Sequence, residues 1–526
     1  MKKFFVLLSI FSIFFSQITI AQESATEETQ SQLQENSAES SNSSDSEEIT
    51  FDTKKITEEA KDSSTGWLHE NDGKKHYLTA LGFVAFWDIG LCSYNRYVSG
   101  SSWAKVGWEE WDHFWERKLA WDHDWYWTNF VLHPYQGSMY YMAARGSNLN
   151  KIESFGLTVL GSASWEYLCE TNAPSINDMV YTTVGAFPVG EMLYRLSLNA
   201  DEIHDLLGFA VNPTRVWTQL FTRQKPNGSK RNIHEFSIKT SIGNAVGHTQ
   251  IIDYDGYWPK NEAYPVFISP ELYVVYNDPY GHDSNDAYSQ FELAFGGGIG
   301  KGSGEGADCS YAEVDKKIFY NIRIVSNGMI FSRAPDFGEN KDTTVGLVLD
   351  YDFDWHSYYL LSSLAPGFAI KQRIKYENSK IEWQAHLAGI VLGTTDYYFY
   401  RRDFDEKYVN GKSGVTAPYN YTTGFQTVLK MRYLTESGFL FSAGFRGYAM
   451  YDFYNQLQYL ADGSHGTSPG WDLIGITNIA AEIPLSNHLN LGISDEFYAK
   501  RAFYKYANDL YQFVNTVQVY AKFKLK

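Results

Sequence analysis

From His234 to the C-terminus, apolar and polar residues alternate with a period of two. Val345, Leu347, Leu349, Tyr351, Phe353 and Trp355 alternate with Asp350, Asp352 and Asp354. Ile381, Trp383, Ala385, Leu387 and Gly389 are interleaved with Glu382, Gln384 and His386, and Phe425, Leu429, Met431 and Tyr433 with Gln426, Lys430 and Arg432. Phe439, Phe441, Ala443, Phe445 and Gly447 continue the pattern, and the last run sets Val517, Val519, Ala521, Phe523 and Leu525 against Gln518, Lys522 and Lys524. Successive strand residues point to opposite faces, so each run builds a strand with one apolar and one charged side. These runs exceed the roughly five or six residues of an ordinary strand and match the roughly 9–11 needed to cross a bilayer. In lipid, only a closed barrel satisfies every strand's backbone groups. Short turns at 377–380, 434–438 and 486–487 alternate with long polar connections at 401–418 and 455–470, as periplasmic turns alternate with extracellular loops. The pattern predicts an antiparallel transmembrane β-barrel over residues 234–526, of about 12 strands by the even-number rule. Residues 308–335 read equally as one long strand or two.

Upstream the period lengthens, and residues 66–222 read as a helical domain, giving an α+β chain. The first helix spans 77–98, with Leu78, Leu81, Phe83, Ala85 and Phe86 on its apolar part; Asp88 interrupts it and makes it a poor membrane span. Trp103, Trp108, Trp111 and Trp115 recur near helical spacing. A second helix spans 152–170, where Gly156, Gly161, Ser162, Ala163 and Ser164 leave room for a close neighbour. Pro174 and Ser175 open a third helix, with Ser175 as its cap and Asp178 closing a capping box. Pro188 is expected to kink that helix or end it. A further short helix is expected within 195–217, followed by a polar linker.

The N-terminus supplies a compartment. Lys2 and Lys3 precede an apolar run from Phe4 to Phe15, and Thr19, Ile20 and Ala21 suit signal peptidase, so residues 1–21 read as a cleavable export signal. Residues 22–65 hold twelve acidic residues and three lysines, half of the chain's net charge of −18. With few large apolar groups they read as a disordered acidic linker. The remainder is mildly acidic, which argues against nucleic acid as a partner. Aromatic residues reach 17 % while mean hydropathy is only −0.35, a pairing that suits a barrel better than a bundle of purely apolar spans. Cys92, Cys169 and Cys309 are too few for a disulfide framework; a Cys92–Cys169 bridge is possible, and buried thiols are the plainer reading.

The helical segment holds the densest polar chemistry. Glu166 and Glu170 are four residues apart and share a helix face; His133, Asp178 and Glu191 converge on that face if the helices pack together. A histidine with carboxylates can hold a metal or act as general acid and base. The same residues equally form a buried polar network that fixes helix register, with Arg145 neutralising a glutamate. His113, His123 and His133 recur every ten residues beside tryptophans, which suits a membrane interface more than a metal site. Asp350, Asp352 and Asp354 should face the lumen and pair with Lys371, Arg373 or Arg432. No motif names a cofactor or an enzyme class.

Several stretches carry a resemblance. His133-Pro134-Tyr135 with Arg145, Trp165-Glu166-Tyr167 with Glu170, Pro174-Ser175 with Asp178, and Gly190-Glu191 together resemble an uncharacterised bacterial envelope family, domain of unknown function 3943, over roughly residues 75–200. The resemblance implies an exported envelope protein and brings no activity with it. The resulting expectation is an outer-membrane barrel whose helical domain lies on the periplasmic side and packs on or plugs the barrel, in a structural or transport-related role. The alternative is a lipid-modifying envelope enzyme using His133 with Glu166 and Glu170. Outer-membrane lipid and the barrel assembly machinery are the expected partners.

Overall fold

The computed structural model describes residues 68–122, 124, 126–227, 232–253, 259–301, 318–397, 419–454, 469–505 and 508–526. The expected export signal, acidic linker and Cys309, and most of the two long connections, lie outside them. Twelve strands form one closed antiparallel barrel in sequence order, β12 closing on β1. They are β1 (Ile233–Ile251), β2 (Pro259–Tyr276), β3 (Phe291–Lys301), β4 (Ile318–Arg333), β5 (Lys341–His356), β6 (Leu360–Lys375), β7 (Ser379–Asp396), β8 (Tyr419–Thr435), β9 (Leu440–Tyr454), β10 (Gly470–Pro484), β11 (Leu489–Tyr504) and β12 (Leu510–Lys524). The described part of the ambiguous stretch, from residue 318 on, contains one strand, β4. Both barrel termini lie at one end, the lower end.

Contacts between non-adjacent strands identify the lumen. Arg323 on β4 donates to Glu496 on β11 at 2.6 Å, Lys430 on β8 to Glu292 on β3 at 2.8 Å, and Lys500 on β11 to the Asp396 carbonyl of β7 at 3.0 Å. Asp350, Asp352 and Asp354 point the same way, as the alternation predicts, but their partners differ from the expected ones. His386 meets Asp350 at 3.0 Å, Gln426 and Tyr448 donate to Asp352, and Arg323 and Arg446 pair with Asp354. Lys371 instead meets Gln290, Glu292 and Asn327. The register puts Lys371, Arg373 and Arg432 lower on the wall, level with Thr344 and Asp342, so the aspartates are met instead by groups on β4, β7, β8 and β9. The residues between the lumen positions, such as Ile242, Phe425, Leu429, Phe497 and Val519, are exposed on the outer wall.

Among the described residues the helical part contains α1 (Tyr77–Ser93), α2 (Trp108–Asp112), α3 (His133–Gly146), α4 (Lys151–Ser164), α5 (Ile176–Val180), α6 (Ala186–Asp201), α7 (Asp205–Val211) and α8 (Thr214–Thr222). Wide π-helical turns extend α1 over Tyr94–Val98, precede α3 over Thr128–Leu132, follow α4 over Trp165–Cys169 and join α5 to α6 over Tyr181–Gly185. The four resulting runs, of roughly 19–26 residues each, span about 28–39 Å at the α-helical rise. Pro188 does not end its helix, because the wide turn just before it absorbs the missing N–H. Asp88 does not break α1 either: it accepts from the Tyr140 hydroxyl and, at 2.5 Å, from Ser164, on two neighbouring helices. The 22 residues Tyr77–Val98 are long and apolar enough to cross a membrane by length and composition. A side chain at Gly137 would collide with the Thr182 carbonyl and with Ala186, and this close approach locks α3 against the α5–α6 run.

Helices and barrel form one compact unit. Their shared core comprises Tyr126, Phe130, Tyr181 and Met192 with Phe291, Leu349, Tyr351, Phe353, Leu360, Leu364, Tyr419 and Tyr421. On β5 these residues alternate with the lumen-facing aspartates, so the helices pack on the outer face of the barrel wall.

Candidate functional site

The seam between helices and wall is built from hydroxyl and amide groups on aromatic surface. Asn129 in the turn before α3 donates to the Tyr419 and Tyr421 hydroxyls at 2.8 and 3.1 Å, and those hydroxyls donate to the carbonyls of Asp124 and Asp122. Tyr351 donates to the Phe130 carbonyl, and Tyr181 donates to Leu392 on β7 at 3.1 Å. The Tyr126 and Phe353 rings stack with centroids 5.0 Å apart. The Thr128–Leu132 turn leaves backbone carbonyls off the regular ladder, and the wall's Tyr351 satisfies that of Phe130.

Beside this seam lies a buried polar cluster at the upper end of the bundle. Ser175 caps α5 by accepting from the Asp178 N–H at 3.2 Å. The capping box is not closed by Asp178; the Ser175 N–H goes to Glu166 at 2.7 Å instead. Asp178 accepts from Asn177 and stands 3.5 Å from His133 Nε2, whose Nδ1 faces the Thr182 hydroxyl at 3.1 Å. Thr182, His133 and Asp178 therefore form a hydroxyl–imidazole–carboxylate chain, all of it buried. Glu170, in the connection after α4, accepts from the Trp165 indole at 2.8 Å. Burial foremost, and the nearby Asp122 carboxylate next, push the Glu170 carboxyl up to about 7.

A second cluster occupies the lower end. Glu191 is fully buried and accepts from Arg145 at 2.9 Å, from Arg195 at 2.8 Å and from the Tyr141 hydroxyl at 2.9 Å. Lys151 and Arg195 also hold Asp286, in the connection between β2 and β3. Burial opposes the Asp286 charge, but Lys151 and Arg195 outweigh it and hold the carboxyl below the usual range.

The six residues singled out in the sequence thus divide. His133 and Asp178 meet; Glu166 and Glu170 stand near them with partners of their own; Arg145 and Glu191 form the separate lower cluster. Arg145 neutralises Glu191 and neither of the other two glutamates. Thr182 and Asn129 were missed, although each lies four residues from a singled-out residue on its helix, Asp178 and His133 respectively. His113 lies exposed in a short helical segment away from His133, and His123 is outside the described residues. Among the described residues no group of three or more His, Cys, Asp or Glu has the geometry of a metal site. Cys92 and Cys169 are free thiols.

The lower lumen holds a cavity of about 350 Å³, lined by opposed charges such as Glu235, Arg432 and Lys522. Above it the Tyr359 and Tyr498 rings stack at 3.8 Å, and the Tyr358 hydroxyl meets Thr249 at 2.6 Å.

Residues 118–214 match the family model described as a domain of unknown function, DUF3943. This stretch covers both helical clusters and stops short of the barrel. No curated protein matches the chain. Among solved structures, the chain is similar to the COG4313 outer membrane channel from Pseudomonas putida F1, at 9 % identity over 57 % of this chain and 99 % of that one, with a TM-score of 0.31. It is also similar to outer membrane phospholipase A from Escherichia coli, at 12 % identity over 54 % and 92 % with a TM-score of 0.23. A third is the P. putida toluene transporter TodX, at 8 % identity over 55 % and 90 % with a TM-score of 0.24.

Proposed function

We propose that this is an outer-membrane barrel that works at its lipid-facing wall, in a transport-related or structural role, with the helical bundle lying in the membrane beside the barrel. In this reading the helices neither plug the lumen nor sit on the periplasmic side. The observation that carries it is the aromatic and tyrosine-hydroxyl seam on the outer face of β5–β8, where a barrel standing alone would meet lipid. Bundle runs of bilayer length and the exposed Leu78, Ile89, Ile152 and Leu160 on the bundle's surface support it. The cross-lumen ion pairs and the Tyr358–Tyr359 hairpin argue against a steady aqueous path. The test is twofold. In planar bilayers the protein should show no steady conductance. Ile89→Cys and Leu160→Cys should resist a water-soluble maleimide in intact outer membranes, while Glu202→Cys reacts once the membrane is permeabilised. A stable open conductance, or rapid labelling of Ile89→Cys, would sink the reading.

The lipid-modifying enzyme is a second reading, favoured by the Thr182–His133–Asp178 chain, in which the imidazole is placed to take the hydroxyl proton while the carboxylate orients it. Its burial supports a register lock more than catalysis. Thr182→Val should leave lipid composition unchanged; altered lipid with normal assembly would favour the enzyme.

A further inference from the structure

The outer wall on β8–β12 carries a groove that the helices do not cover. The register aligns Thr427, Gly447, Gly475 and Ala499 side by side across β8, β9, β10 and β11. These small residues form a floor. Phe445 and Phe497 stand on one side of it, and Phe425, Leu473 and Arg501 on the other. The space is about 620 Å³ and almost wholly apolar. Arg501 is its outward-facing cation. The guanidinium lies 3.8 Å from the centre of the Tyr511 ring and 4.8 Å from that of Phe503, with one long contact of 3.4 Å to Asp509. Its Nε is buried with no hydrogen-bond partner. Arg501 sits near the upper end of β11.

An arginine on a lipid-facing wall is costly unless an anion meets it. The planar guanidinium suits the oxygens of a phosphate. The aromatic rings beneath hold it without competing for its donors. The groove floor running away from it takes a flexible apolar chain. We propose that this wall binds one molecule of an anionic phospholipid-type amphiphile, its phosphate on Arg501 and an acyl chain along Gly447 and Gly475. The site rests on the barrel's outer wall facing lipid and is independent of where the helices lie.

The experiment is native mass spectrometry of the full chain in detergent, titrated with dioleoyl phosphatidic acid, dioleoylglycerol or inorganic phosphate. The wild type should retain one phosphatidic acid, and dioleoylglycerol should bind at least about tenfold more weakly, as expected for loss of a charge-assisted bond. Inorganic phosphate should not displace the lipid. Arg501→Gln should weaken retention by about tenfold, and Gly475→Leu, which fills the floor, should weaken it comparably. Ala499→Leu replaces Gly475→Leu if the latter loses its heat-modifiable gel mobility. Unchanged retention in Arg501→Gln, equal binding of dioleoylglycerol, or displacement by inorganic phosphate would each overturn the proposal.

Discussion

Removing the Glu191 carboxylate should be among the most damaging single changes in the helical part. Glu191 is fully buried, accepts from two guanidiniums at 2.8 and 2.9 Å and from a tyrosine hydroxyl at 2.9 Å, and has Lys151 at 3.7 Å. At these separations each arginine pair has a gross Coulomb energy of about 6 kcal/mol and the Lys151 pair about 4.5 kcal/mol at an effective dielectric of about 20, most of it offset by desolvation. Truncation leaves Lys151 and Arg195 with Asp286 as their remaining anion in the cluster and removes the carboxylate that pairs with Arg145. Breaking a buried pair in this way costs about 3–5 kcal/mol. Glu191→Gln retains one acceptor oxygen and should cost less, about 2–3 kcal/mol. Eleven of the fifteen tryptophans precede residue 234, so indole fluorescence during urea unfolding in vesicles follows the helical part more than the barrel. A Glu191→Ala curve within about 0.5 kcal/mol of wild type, the range of ordinary surface substitutions, would refute the reasoning.

Leu429 is exposed on the outer wall, so Leu429→Arg should impair assembly at a cost of about 2–4 kcal/mol near mid-membrane, while Thr516→Arg, on the lumen cavity, should assemble; equal gel-shift yields would show the faces misassigned. Tyr351→Ala removes a buried ring and a hydroxyl donor from the seam and should cost about 3–5 kcal/mol, read as protease sensitivity of the helices with the barrel still heat-modifiable; full resistance would count against the seam as the joint. Glu170, raised to about 7 when folded, binds its proton more tightly in the folded state; its contribution is complete below the unfolded value of about 4.3 and is lost as pH rises through 7. Asp286 has the opposite sign, its contribution being present above about 4 and lost in acid. Glu170→Gln should therefore flatten only the limb between about pH 4.3 and 7, and an unchanged limb would reject the assignment.

The barrel was legible because its lumen and outer wall impose a period of two that no helix can mimic. The exception is instructive. Leu349, Tyr351 and Phe353 keep the outward phase but are buried, because a neighbour distant in sequence covers them. Alternation assigns a face and says nothing of what meets it. The candidate site was half legible. Twelve residues separate His133 from Arg145 and thirteen separate Asp178 from Glu191, so the helical rise alone puts roughly 18–20 Å between members of each pair. That spacing already forbids one shared cluster, whereas helix-face reasoning, which counts angle and ignores height, merged them. Asp286, the lower cluster's second anion, lies in a strand connection nearly a hundred residues past Glu191, and no local pattern announces it.

The buried polar residues of the bundle are satisfied only in the assembled fold. An exported chain bound for the outer membrane must first pass the inner one, where a long, uniformly apolar segment would be retained as a span. Helices proposed to rest in the outer membrane must therefore look too polar before folding and be apolar enough afterwards. α1 stands at the limit, still apolar enough to cross by composition with Asp88 in it, and Asp88 is bonded by Tyr140 and Ser164 only once three helices are together. Glu191 plays the same part on α6, and Glu166 in the turn after α4 by taking the Ser175 N–H. Each polar group interrupts its own segment in sequence and is satisfied by another segment in the fold. The barrel wall completes the device, since Tyr351 supplies a hydroxyl to the Phe130 carbonyl in the wide turn before α3, and Tyr421 one to the Asp122 carbonyl ahead of it, where lipid could satisfy neither. On this account the polar residues within the helices and the tyrosines on the barrel's outer face are two halves of one requirement, that the bundle become membrane-compatible only after it has met its barrel.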